Sequence, residues 1–196
     1  MATKISSANP SSKPELEGQA DEIQASEASF FGQNFSSKKG EVIAEAFSEL
    51  PIVCLYFAAK SSPPCRIFTP VLMSFYREIN LINKSFEIIY VPRDKDQESY
   101  ISYLQQMPWI SIPLDEEQRI IDFKQLYKIQ GIPSLVVLGV KGELITLDGR
   151  KDIIEKGELA FESWMRRLEE IKGSDPDSMQ LEPQGATWQV IADASN

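Results

Sequence analysis

The chemistry in this chain centres on four residues, Ser62-Pro63-Pro64-Cys65. An apolar run, Leu55-Tyr56-Phe57-Ala58-Ala59, breaks there into a small-residue turn, and the turn opens onto an amphipathic segment. Two thiols spaced in this way at a helix N-terminus would run thiol–disulfide exchange. The helix end favours the first thiol as a thiolate, and the second thiol resolves the mixed disulfide. Here the first position is serine, whose hydroxyl forms no disulfide and is barely ionised at neutral pH. Serine is also a preferred helix cap and proline a preferred first helical residue, so Ser62 reads first as a cap. A nucleophilic serine needs a base, and the chain has no histidine to serve as one. Cys65, one turn into the helix, reads as a small buried hydrophobe in preference to a reactive thiol.

The absence of histidine also removes the commonest metal ligand. No metal or cofactor is expected. The other cysteine, Cys54, sits inside Ile52-Val53-Cys54-Leu55-Tyr56-Phe57 and should be a core residue. Two cysteines and no secretory signal point to a reducing compartment, the cytoplasm first. Residues 1–14 hold lysines and serines but no arginine, a poor match to a mitochondrial presequence that does not exclude one. A net charge of −9 argues against nucleic acid as the main partner. No apolar run approaches the roughly 20 residues that span a bilayer.

The elements that must position these residues follow from periodicity. Ile52–Phe57 and Phe86–Val91 predict buried strands. Helical spacing predicts a helix over Cys65–Ile82, with Pro70 kinking it, and further helices over Asp96–Met107 and Gln118–Tyr127. Ser134–Leu138 and Glu143–Leu147 predict a hairpin around Lys141-Gly142. The last helix is predicted over 154–171, with Leu159, Phe161, Trp164, Leu168 and Ile171 facing inward. Pro133 is either an ordinary strand-entry proline or the site of a cis bond after Ile132. Residues 1–28 carry almost nothing large and apolar and are expected to be disordered or bound to a partner. Residues 29–172 form the domain, and 173–196 a tail in which Trp188, Val190 and Ile191 either dock elsewhere or pack back.

Taken in order, Tyr56-Phe57, Phe68-Thr69-Pro70, Phe75-Tyr76, Phe86-Glu87-Ile88, Arg93-Asp94-Lys95-Asp96, Met107-Pro108-Trp109, Gly131-Ile132-Pro133-Ser134-Leu135 and Asp148-Gly149-Arg150 resemble the thioredoxin superfamily in its tryparedoxin and nucleoredoxin branch. The resemblance covers about residues 30–172. It implies an α/β three-layer sandwich with a mixed central sheet and helices on both faces, and a cis proline at 133. It places Ser61 where the family has tryptophan and Ser62 where it has the attacking cysteine, so its oxidoreductase activity is not carried over. The remaining expectation is a catalytically silent protein that binds other proteins, as a binding or structural subunit of a larger assembly. Its docking groove is formed by Ser62, Pro63, Pro64, Cys65, Met107, Trp109, Ile132 and Pro133. The competing expectation is a weak oxidoreductase or redox sensor that uses Cys65 alone.

Overall fold

A computed structural model describes residues 30–174. Its centre is a seven-residue strand, β3 (Ile52–Ala58), with every side chain buried. Alternation along β3 sends Cys54, Tyr56 and Ala58 to one face and Val53, Leu55 and Phe57 to the other. Such a continuous apolar run suits a strand covered on both sides. It pairs parallel with β4 (Phe86–Pro92) and antiparallel with β6 (Ser134–Gly139).

Around this trio the sheet extends through β5 (Ile110–Ser111), β1 (Asn34–Ser37), β2 (Gly40–Ile43) and β7 (Leu144–Thr146). The strand order is β2-β1-β5-β4-β3-β6-β7. On the Tyr56 face pack α1 (Pro63–Ile79), α2 (Gln97–Leu104), α4 (Gly149–Lys156) and α5 (Leu159–Gly173). The opposite face is covered by α3 (Glu117–Leu126) and by Phe31, Phe35 and Phe47 from the N-terminal segment. The result is the expected three-layer mixed sandwich.

The hairpin β1–β2 and the short β5 have no counterpart in the periodicity reading. They are held largely by backbone pairing and by Arg119 of α3. Its guanidinium lies 4.8 Å over the Phe35 ring, donates to the Asn34 carbonyl at 2.7 Å and pairs with Glu116 at 3.2 Å. Helix α1 continues through Pro70 and ends at Ile79, which leaves Ile82 outside it and 89% exposed.

The predicted last helix is two helices. Gly157 adopts φ +56, a conformation glycine reaches without steric cost, and the chain turns there between α4 and α5. The turn redirects α5, so Leu159 is 63% exposed rather than inward. The buried stripe is Ala160, Trp164 and Leu168, with Phe161 and Ile171 partly buried beside it. Residues 1–28 and the tail around Trp188, for which the sequence carries expectations, lie outside the described residues.

Trp164 has no exposed surface, packs edge-on to Phe75 at 5.5 Å and donates to Asp152 at 2.9 Å. Trp164→Ala should therefore destabilise the domain by about 3–5 kcal/mol in chemical denaturation, from lost burial and the cavity left behind. A change below about 1 kcal/mol would mean that α5 does not close the core.

Candidate functional site

The turn from β3 into α1 is pinned from below. Asp94, just past β4, accepts the Lys60 amide at 2.8 Å and also the hydroxyl of Tyr90. Lys60 extends its ammonium to the Ser102 hydroxyl at 2.5 Å, and Arg66 donates back to the Lys60 carbonyl at 2.9 Å. The Ser62 amide closes the turn on the Ala59 carbonyl at 3.2 Å. Residues 59–62 therefore have a fixed course although they carry little apolar surface.

Ser62 occupies the N-cap position of α1, half-buried, with β-region backbone angles. Its side chain makes no capping bond. A cap hydroxyl accepts from the second or third helical amide; Pro64 removes the first of these, and the Cys65 amide is the one donor left. Pro63 and Pro64 are exposed, whereas Cys65 has no accessible surface.

Cys65 is held by a polar knot. Thr69 donates its hydroxyl proton to the Cys65 carbonyl at 2.8 Å, the i to i−4 bond that threonine makes inside helices. Having given up its only proton, the Thr69 oxygen accepts from Tyr56 at 2.8 Å and from Tyr103 at 2.5 Å. Three elements, β3, α1 and α2, meet at that oxygen. Burial pushes both phenols above their ordinary tyrosine value. The thiol of Cys54, deep in β3, is also pushed far up by burial.

Across the sheet, Phe57 pairs with Ser134, which sets Pro133 beside Ala58 and the start of the motif turn. The Ile132–Pro133 peptide bond is cis. Pro133 is buried and Ile132 half-buried. A cleft of about 390 Å³ runs along Ile132, Pro133 and Ser134 to Leu147 and Arg150. The Arg150 guanidinium stands 5.8 Å from the Phe68 ring of α1. The strand register puts the motif turn and the Ile132–Pro133 bond at the same end of the sheet, but none of Ser62, Pro63, Pro64 and Cys65 lines this cleft.

Met107 and Trp109 do not join that surface. Both are buried, and Trp109 is wedged edge-on between Tyr56 at 6.1 Å and Tyr76 at 5.6 Å. They support the site from within and do not line a groove. Periodicity missed Thr69, Tyr103 and Lys60, which carry no local signal because their partners lie far along the chain. Among the described residues, no group of three or more His, Cys, Asp or Glu could hold a metal ion.

A family model described as thioredoxin-like matches residues 51–144. The tryparedoxin of Trypanosoma brucei brucei is 33% identical over 132 residues, which are 67% of this chain and 90% of that protein. The chain belongs to the thioredoxin superfamily, in its nucleoredoxin and tryparedoxin branch. Mouse nucleoredoxin is 37% identical over 142 residues, covering 72% of this chain but 32% of that protein. The chain thus spans a third or less of the nucleoredoxins it matches, 32% of the mouse protein and 21% of an Arabidopsis thaliana one. Among solved structures, a Trypanosoma brucei tryparedoxin superposes with a TM-score of 0.62 at 32% identity, covering 67% of this chain and 91% of that one. No helix among the described residues is long and apolar enough to cross a membrane.

Two outcomes follow from this thioredoxin-like core. Thr69→Val keeps the shape but leaves Tyr56 and Tyr103 only each other as side-chain partners, so one buried hydroxyl loses its acceptor, and should cost about 1–3 kcal/mol. Thr69→Ser keeps the hydroxyl and should cost no more than about 1 kcal/mol, the value of one buried methyl group. Equal losses in denaturant midpoint would mean that the hydroxyl knot contributes nothing.

The second outcome concerns alkali. Tyr56, Tyr76, Tyr90, Tyr100, Tyr103 and Tyr127 are all raised, with burial the largest cause in each. The folded state keeps these phenols protonated, whereas the unfolded chain ionises them near pH 10. Their stabilisation is complete below about pH 10 and is lost as pH rises beyond it. Tyrosinate absorbance should therefore appear together with loss of circular dichroism, in one transition. Stepwise ionisation of a folded chain would contradict the burial of these rings.

Proposed function

We propose that this thioredoxin-like protein acts by binding other proteins, as a structural or docking subunit of a larger assembly, and does not turn over disulfides. The observation that carries the reading is the state of the motif: a serine at position 62 and a Cys65 with no accessible surface. Exchange begins with attack by a surface thiolate and ends with release by a second thiol. Ser62 supplies no thiolate, and Cys65 cannot reach an incoming disulfide without opening the N-terminus of α1. The same burial counts against an oxidoreductase or sensor that uses Cys65 alone. What supports a docking role is a turn of fixed course that leaves Pro63 and Pro64 exposed and Ser62 and Ile132 half-buried at the same end of the sheet. Two free, buried cysteines suit a reducing compartment such as the cytoplasm.

Purified protein should therefore reduce protein disulfides with a dithiol donor no faster than the donor alone. Ser62→Cys should place a thiol at the helix end, with a pKa below the ~8.5 of free cysteine. That thiol and Cys65 should then oxidise together to a disulfide, seen by mass spectrometry, and measurable turnover should appear. Turnover by the unaltered protein that disappears in Cys65→Ser would overturn the binding reading. A Ser62→Cys chain that stays fully reduced under mild oxidation would show that the surrounding geometry has diverged as well.

A further inference from the structure

Two cations line the cleft beside the cis peptide bond, and each stands where the local backbone disfavours it. Lys128 is the first residue past the C-cap of α3. Its amide donates to the Gln125 carbonyl at 3.0 Å, and the next amide, of Ile129, donates to the Lys124 carbonyl at 2.9 Å. This pair of bonds closes a helix by passing the chain through the left-handed region, a position that glycine usually fills. Lys128 adopts φ +50 there, and among the described residues it is the one residue other than glycine with a positive φ. A Cβ is crowded in that conformation, so the lysine holds its place against a steric penalty that glycine would not meet.

Arg150 lies in the first turn of α4, the end of a helix at which the backbone dipole opposes a positive charge. Apart from its approach to the Phe68 ring it is exposed. Neither Lys128 nor Arg150 takes part in an ion pair among the described residues. No carboxylate lines the cleft they share. The adjoining hollow along α4 does carry Asp148 and Glu155, together with Lys151. The acid-free lining is therefore particular to the cleft at the cis bond.

In a chain of net charge −9, two unpaired cations in an acid-free cleft run against the prevailing sign. Both also break the preference of their own helix end, and nothing inside the domain compensates either of them. Local rules broken together at one place, without an internal partner, mark a site shaped for something outside the domain. The same lining holds apolar surface, with Ile132 half-buried and Leu147 49% exposed.

We infer that this cleft receives an acidic segment of a partner protein, with carboxylates on Lys128 and Arg150 and an aliphatic side chain against Ile132 and Leu147. Two cations neutralise a short acidic stretch, whereas a nucleic acid would meet the repulsion of the whole chain's negative charge. The inference rests on the docking reading above, for which it names the partner's chemistry.

A phage-displayed library of random linear peptides, panned on the full chain, tests it. The retained pool should be enriched in aspartate and glutamate over the input. Lys128→Gly and Arg150→Gln should each cut retention of that pool about twofold to fivefold, the range of one exposed ion pair. The double variant should abolish the acidic bias. Lys128→Gly should also leave the thermal midpoint unchanged or raised, because glycine adopts the left-handed conformation freely. A retained pool without acidic bias would overturn the inference and leave the docking reading standing. So would a bias that persists in the double variant, which puts the acidic contact on another surface. A clear fall in the midpoint of Lys128→Gly would overturn it too, since the lysine would then be kept for closing α3. Retention of no peptide at all would sink the docking reading together with the inference.

Discussion

Everything at the candidate site is positioned by the complete burial of β3. With no side chain of Ile52–Ala58 exposed, the strand has one register against β4 and one against β6. A slip by a single residue would exchange Tyr56 with Phe57 across the sheet and bring a phenol hydroxyl to the face that offers it no partner. Fixing that register fixes where the chain leaves the sheet after Ala58, and hence where α1 begins. It also fixes Pro133, because Ser134 is paired to Phe57. The motif turn and the cis peptide thus share one end of the sheet because they flank paired strands, without direct contact between them being required.

The interior polar knot then decides how Cys65 behaves. Tyr56 from β3 and Tyr103 from α2 both point at Thr69, and Thr69 holds the Cys65 carbonyl. Each of these hydroxyls costs free energy to bury and recovers it only while all three are satisfied together. The first turn of α1 is therefore clamped from beneath at the residue that would need to move for its thiol to emerge. A clamp of this kind suits a partner-binding surface, where a fixed shape lowers the entropy lost on docking. It also leaves no reason in packing for a cysteine at position 62: Ser62 is half-buried and unbonded through its side chain, so its identity has little influence on the fold.

Legibility in the sequence followed the strength of local signals. Strands β3 and β4 are runs of apolar residues that could not be solvent-exposed, and α1 shows through Phe68, Leu72 and Phe75. The hairpin β1–β2 was not legible, because Asn34–Ser37 is mostly polar and is held by Arg119, which lies 85 positions from its carbonyl partner. The break at Gly157 was hidden for a related reason. Ile153, Ala160, Trp164 and Leu168 all face the same core, so the apolar period continues across two separate helices. At the site, Ser62, Cys65 and Pro133 could be placed by neighbours in sequence. Met107 and Trp109 could not, since an isolated tryptophan after a proline fits a surface platform and a core plug equally well. The structure makes it a plug, pressed on Tyr56 and Tyr76.

What distinguishes this chain is therefore where it departs from the demands of its own fold. A buried face constrains residues strongly, and the inward side of α1 obeys that constraint at Cys65, Phe68, Leu72 and Phe75. Its outward side is free to take any polar residue, and solubility favours charges there. Apolar residues at Ile67 and Val71 gain nothing from the isolated domain: each loses its favourable burial, worth about 1.5–3 kcal/mol for a fully covered aliphatic side chain. Ser62 and the apolar outer face of α1 lie within two turns of each other at one end of one helix. A helix that carries a serine at its N-cap and hydrophobic surface beside the same position has the physical make-up that the proposed binding role requires: no thiolate at the helix end and apolar area that contact with a partner would remove from water.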